Sequence, residues 1–211
     1  MLNETGTAPT RWAGVPQADR VTERRALLVA AGFDLFSTEG ERAVTVRAVC
    51  RSCELHTRYF YESFPGTDEL IGAVYDTVAS ELDAHVQEFT DSRGGDLPAR
   101  IRAGIAAVLH FSSVDPRRGR VLFTEARTHP VLILRREASQ GALMDAVLDL
   151  GAQLRPEAAP GLVTVGAAMF TGAMVELVQQ WLSGRLGDDL DAVIDHTVTH
   201  LLPSLQPETA E

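Results

Sequence analysis

The segment TVRAVCRSCELHTRYFYESF, residues 45–64, decides how the chain folds. Val46, Val49, Cys50 and Cys53 recur at offsets of three and four, so a helix brings them onto one small apolar stripe, with Thr45 as its cap. Arg47 and Arg51 then fall on the opposite face, in water. After Glu54 and Leu55 the pattern restarts, with Phe60 and Phe64 four apart and Thr57, Arg58, Tyr59, Tyr61 and Ser63 pointing away from them. Two short helices are predicted, the first burying small residues so that the second is held rigidly with a polar, aromatic face outward. That is the layout of a helix-turn-helix.

Working outward, a preceding helix over about 22–38 places Leu28, Gly32, Leu35 and Phe36 inward, broadened by Val29 and Phe33, and Gly40 closes it. It is the apolar platform on which the two short helices rest. Residues 1–19 are Thr-, Gly- and Pro-rich with no periodicity and read as a flexible N-terminal tail. Arg11, Arg20, Arg24 and Arg25 lie on it or just beyond, either as a basic arm for a minor groove or as a solvated start.

Beyond the pair, Thr67, Asp68 and Glu69 suit the start of a fourth helix running to about Thr90, with Leu70, Val74, Val78 and Leu82 four apart. Further helices follow over about 97–111, a short one through Phe123, a long one after the break at His129 and Pro130 to about Leu154, one over about 162–182, and a last with Leu190, Val193, Ile194, Val198 and Leu201 inward. Nothing alternates with period two, so the fold class is all-α with about nine helices. The expected organisation is a tail over 1–19, a three-helix head over 20–66, and a helical body over 67–211.

The chain has 211 residues, 45% of them apolar, and a net charge of −10, which argues against wholesale affinity for nucleic acid. The charge is unevenly spread: residues 20–66 carry 7 Arg against 6 acids, and residues 67–211 carry 11 Arg against 21 acids. Such asymmetry suits a protein that touches DNA with one end only and repels it elsewhere. Two cysteines three apart on one helix form no disulfide framework, and the N-terminus lacks a basic start followed by an apolar run, so a cytoplasmic location without membrane is expected. No phosphate-binding Gly loop, nucleophile elbow or paired carboxylate is present, and neither an enzyme nor a cofactor is expected. Cys50, Cys53 and His56 lack a fourth metal ligand, and His196 and His200 lack a third, so no metal is expected.

From about Arg24 to Ile71 the chain resembles the N-terminal domain of the TetR family of bacterial transcriptional regulators. The ordered set is Ala31, Gly32, Leu35 and Phe36, then Gly40, Thr45 to Arg47, Tyr61, Phe64 and Pro65, and Asp68 to Ile71. It departs from that pattern where Glu54 replaces the Gly of the turn, His56 a Ser or Thr cap, and Thr67 a phosphate-holding Lys. Glu54 must therefore accept a left-handed conformation or shift the turn.

The resemblance implies double-stranded DNA as a partner, bound at a palindromic operator by a homodimer. It puts Arg47, Thr57 and Arg58 on base edges and Tyr59, Tyr61, Ser63 and Thr67 on phosphates or sugars. The last two helices are similar in layout to the family's dimer-forming pair, which implicates Gly172, Ala173, Leu177, Trp181, Val193, Ile194 and Leu201. By the same analogy the protein is a repressor, released by a small, largely apolar effector in the body. Candidate ligand-binding residues there are His110, Phe111, Phe123, Arg127, Met144, Met169, Phe170 and Glu176. The alternatives are a helical carrier or enzyme that keeps the head unused, and a helical protein-interaction adaptor.

Overall fold

The computed structural model describes residues 17–93, 95–154 and 156–205, and among these it is built from helices and their connections. Three helices form the head: α1 (Gln17–Glu39), α2 (Val46–Ser52) and α3 (Thr57–Ser63). The body follows with α4 (Thr67–Arg93), α5 (Leu97–Val114), α6 (Pro116–Gly119), α7 (Pro130–Leu154), α8 (Pro160–Leu182) and α9 (Leu190–Leu205). Of the expected tail, residues 1–16 with Arg11 lie outside the described residues, and Gln17 to Asp19 already belong to α1. Arg20, Arg24 and Arg25 are therefore helical.

The head's core does not stop at its own boundary. Leu28 and Phe36 of α1, Val49 of α2 and Phe60 of α3 pack in one cluster with Leu70, Ile71, Val74 and Val78 of α4 and with Phe111, Val121, Leu122 and Leu132 of the body. Gly32 makes the closest approach possible: a Cβ there would meet Leu70 at 3.1 Å, so α1 lies directly on α4. Gly40 follows α1 with φ +82° and ψ −177°, an extended positive-φ setting that only glycine enters without strain. Polar contacts brace the same junction. Arg117 at the start of α6 pairs with Asp115 and reaches Asp34 of α1 at 3.0 Å, and the Arg117 guanidinium holds the Asp115 carboxyl below the usual carboxylate range.

A second cluster organises the far side of the body. Ile101, Ile105 and Leu109 of α5 meet Val147 of α7, Ala167, Phe170, Met174 and Val178 of α8, and Val193 and Ile194 of α9. On length and composition α8 would cross a membrane, but it packs against α5, α7 and α9. Between α5 and α7 the chain makes a π-helical turn over Arg120–Thr124, which carries Leu122 and Phe123.

One packing detail predicts a pH dependence. His85 of α4 stacks on His110 of α5 at 5.6 Å between ring centroids, flanked by Phe89 and Phe111, and its Nε2 is shut from solvent. Burial, then the neighbouring His110, lowers the His85 pKa below its ordinary 6.5. Above 6.5 both folded and unfolded chains hold this ring neutral; as pH falls the unfolded chain takes the proton first, and stability is lost down through the folded pKa. Denaturant midpoints measured between neutral and mildly acidic pH should fall in the parent and fall less in His85→Phe.

Candidate functional site

In the head, local chemistry fixes the turn between α2 and α3. Thr45 caps α2 by accepting the Ala48 N–H at 3.2 Å, and Val49 and Cys50 are the residues α2 buries. Burial, with Cys53 nearby, raises the Cys50 thiol, an environment that keeps it inert. At the other end the Leu55 N–H bonds to the Cys50 carbonyl at 2.9 Å and the Glu54 N–H faces the Arg51 carbonyl at 3.4 Å. These two bonds are a Schellman motif, whose geometry demands a left-handed residue at Glu54. Glu54 takes it, with φ +55°, the only non-glycine residue with positive φ among those described. So the turn does not shift; the side chain bears the strain. The Glu54 side chain is exposed, and the left-handed region costs an L-residue about 1–2 kcal/mol, partly offset by glycine's greater unfolded entropy. Glu54→Gly should stabilise the protein by about 0.5–1 kcal/mol in denaturant unfolding.

α3 is seven residues long, too short to stand alone, and His56 ahead of it makes no side-chain cap bond. It is held by Phe60, fully buried between Tyr61 and Phe64. The opposite face is open: Thr57 and Arg58 are exposed and Tyr61 is 61% exposed. Arg58 lies over the Tyr59 ring at 4.8 Å and 3.7 Å from Glu62. α1 supports this face, with Arg24 also over the Tyr59 ring at 4.4 Å and 3.5 Å from Glu62, and Arg25 over Phe64. Arg47 on α2 is exposed, while Ser63 and Thr67 are half-buried at the seam of α3 and α4. The structure thus gathers Arg47, Thr57, Arg58, Tyr59, Tyr61, Ser63 and Thr67 around one end of the molecule. Arg24 belongs with them as a support, signalled in sequence only by its place one helix earlier.

Residues 28–74 match the family described as bacterial regulatory proteins, tetR family. Its head is a TetR-family domain. Solved structures extend the likeness in fold to the body. A transcriptional regulator from Rhodococcus sp. Rha1 aligns with a TM-score of 0.69 at 19% identity, over 85% of this chain and 96% of that one. A TetR-like transcriptional regulator from Rhodococcus sp. RHA1 aligns at 0.70 and 16% identity, over 86% and 95%. The fatty acid degradation regulator FadR from Bacillus halodurans aligns at 0.70 and 13% identity, over 89% and 97%. No curated protein matches the sequence.

Behind the TetR-type head, α4, α5, α7, α8 and the π-helical turn line a cavity of about 910 Å³ that is partly open to solvent. That is ample for a small-molecule ligand. Of the residues singled out in sequence, Phe123, Arg127, Phe170 and Glu176 line it. The others stand elsewhere. Phe111 is buried in the head-side cluster, His110 stacks on His85, Met144 is half-buried beside Thr171, and Met169 is 60% exposed on the outside of α8. Apolar character alone does not separate core, cavity and surface. The wall also includes Tyr75, Leu82, Asp83 and Val86 of α4 and Arg136, Ser139 and Leu143 of α7. Their signal was the three- and four-residue spacing of Tyr75, Ala79, Leu82 and Val86, one face of α4 beside the stripe that packs on α1.

Of the residues implicated in dimerisation, Val193 and Ile194 are buried within the chain itself, and Leu177, Trp181 and Leu201 pack against the same cluster. Gly172 is exposed, Ala173 half-buried. The apolar side chains that α8 does leave outward are Leu162 (53% exposed), Val165 (57%) and Met169 (60%), which continue to Gly172 at spacings of three and four. Among the described residues no three His, Cys, Asp or Glu side chains gather as a metal site.

Proposed function

We propose that this protein is a ligand-responsive, DNA-binding transcriptional regulator that acts as a homodimer on a palindromic operator. It is a repressor, released when a small molecule occupies the body cavity, and it works by binding, not catalysis, in the cytoplasm. The observation that carries this reading is α3, clamped from behind by Phe60 while Arg58, Thr57 and Tyr61 stand in water. An arginine and a large aromatic side by side on an outward face suit a partner rich in phosphate and base edges. The body, at 11 Arg to 21 acids, discourages DNA from docking anywhere else.

Two heads about 34–36 Å apart would occupy successive major grooves. The cavity lies against α4, the helix on which the head is mounted, so a ligand that prefers one setting of α4 changes that spacing. It does so only to the extent of its difference in affinity between the two settings. The decisive experiment is selection of duplexes from random fragments with the purified protein. Recovery of one symmetric motif is expected; recovery of no motif at low salt would leave the helical carrier as the better reading.

The dimer seam follows the outward stripe of α8, Leu162, Val165, Met169 and Gly172, whose apolar surface a second copy would cover. Met169→Glu buries two carboxylates near the centre of that seam, one from each subunit. Sedimentation or light scattering should show the variant as monomer at concentrations where the parent is dimeric, with its helical content intact. A variant that dimerises as well as the parent moves the seam elsewhere.

A further inference from the structure

We propose that the cavity is built for an organic anion, a carboxylate on an extended apolar body, with the carboxylate seated on Arg136 and on the Ser139 hydroxyl that Tyr75 orients. The inference rests on the ligand-responsive reading above and gives that ligand its chemistry.

The balance of charge inside the cavity runs against the balance outside. The body carries 21 acids to 11 Arg, whereas the cavity wall carries Arg100, Arg127 and Arg136 against Asp83 and Glu176. Arg136 stands out among them. Its neighbour Arg135 turns to α4, lies over Gly72 and takes Asp76 through both carboxylate oxygens, at 3.0 and 3.2 Å. Arg136 belongs to the cavity wall, gives Nη1 to the neutral amide oxygen of Gln140 at 2.8 Å, and pairs with no carboxylate among the described residues. A guanidinium lining a cavity without a counter-charge is a ready partner for an anion, and a carboxylate is the acceptor whose geometry fits it best.

Tyr75 sets a second donor at the same place. It is 3% exposed, its hydroxyl donates to Ser139 Oγ at 3.2 Å, and Arg136 is near enough to act on its ionisation. Burial holds the phenol protonated, raising its pKa, so it keeps its proton on Ser139 Oγ and leaves the Ser139 O–H to donate to a ligand. Arg136 and Ser139 thus offer a guanidinium and one hydroxyl donor, the latter oriented by Tyr75. From there the wall is apolar, with Leu82 and Val86 of α4, Ile105 of α5, and Leu143 and Val147 of α7. A neutral apolar molecule would fill this volume yet leave the Arg136 charge without a partner.

The test compares two probes of equal chain length, decanoate and 1-decanol, by calorimetric titration of the full-length protein. Decanoate is expected to bind at least about tenfold tighter, the difference a charge-assisted bond supplies. In Arg136→Met that preference should vanish while decanol still binds, which also reports that the cavity has folded. Tyr75→Phe should cut the preference severalfold and serves if Arg136→Met does not fold. Equal affinity for the two probes in the parent, or a preference that survives Arg136→Met, overturns the anion site while leaving a ligand cavity in place. If neither probe binds, the proposal falls; the regulator reading still stands on DNA selection, so the two failures are told apart.

Discussion

Arg58→Ala is expected to weaken binding to the selected palindrome by roughly tenfold to hundredfold per half-site, the 1–3 kcal/mol of one good bidentate contact to a guanine edge. The side chain is free to make that contact. Its link to Glu62 is 3.7 Å long and solvent-exposed, a pairing worth little in water, so it is given up easily at a groove. Binding to random duplex should change far less, because there Arg58 meets only phosphate. Equal loss on both duplexes would make Arg58 a phosphate contact instead. Titration with salt completes the measurement: affinity should fall steeply as counterions compete, and a flat response would count against the head docking on DNA.

Phe60→Ala should have the largest effect on the fold. Phe60 is fully buried, and removing a buried Phe ring typically costs about 3–5 kcal/mol through lost transfer energy and the void left behind. Against a total stability of about 5–15 kcal/mol that is a large share. A chain of this size loses about 2–4 °C of melting temperature per kcal/mol, so a fall of roughly 6–20 °C is expected. Specific DNA binding should go with it, since Phe60 is the main anchor of a seven-residue helix whose cap makes no side-chain bond, and the surface contacts of Arg24 are too weak to replace it. An unchanged melting temperature would show that α3 is held by other contacts.

The head was legible because its signals are local. Thr45 caps α2, Gly40 closes α1, and Phe60 and Phe64 four apart fix the buried face of α3; each depends on residues within one or two turns. The helices of the body were legible for the same reason, and the stop after Leu154 and the glycines around 184–187 mark real ends. What periodicity does not say is which neighbour covers an apolar face. Val193 and Ile194 show a stripe on α9, but only the packing of α5 and α8 shows that their own chain buries it. Phe111 and Phe123 lie twelve apart, yet one is core on α5 and the other cavity wall on the π-helical turn, a break in helical register that periodicity does not announce. Arg136 carried no sequence mark that set it apart from Arg135; only the positions of Asp76 and Gln140 do so.

The cluster that runs from Phe36 through Val74 to Leu122 decides where this molecule may be divided and spliced. A chimera joined at residue 66 would strip Leu70, Ile71 and Val74 from the helix they roof and leave α1 facing a stranger's α4. Tyr75 and Leu122 tighten the constraint, since each belongs to that cluster and to the cavity wall at once. The portable module is therefore longer than a helix-turn-helix: a graft that keeps its operator preference must bring the first half of α4 with it, and one that also keeps its response must bring the π-helical turn.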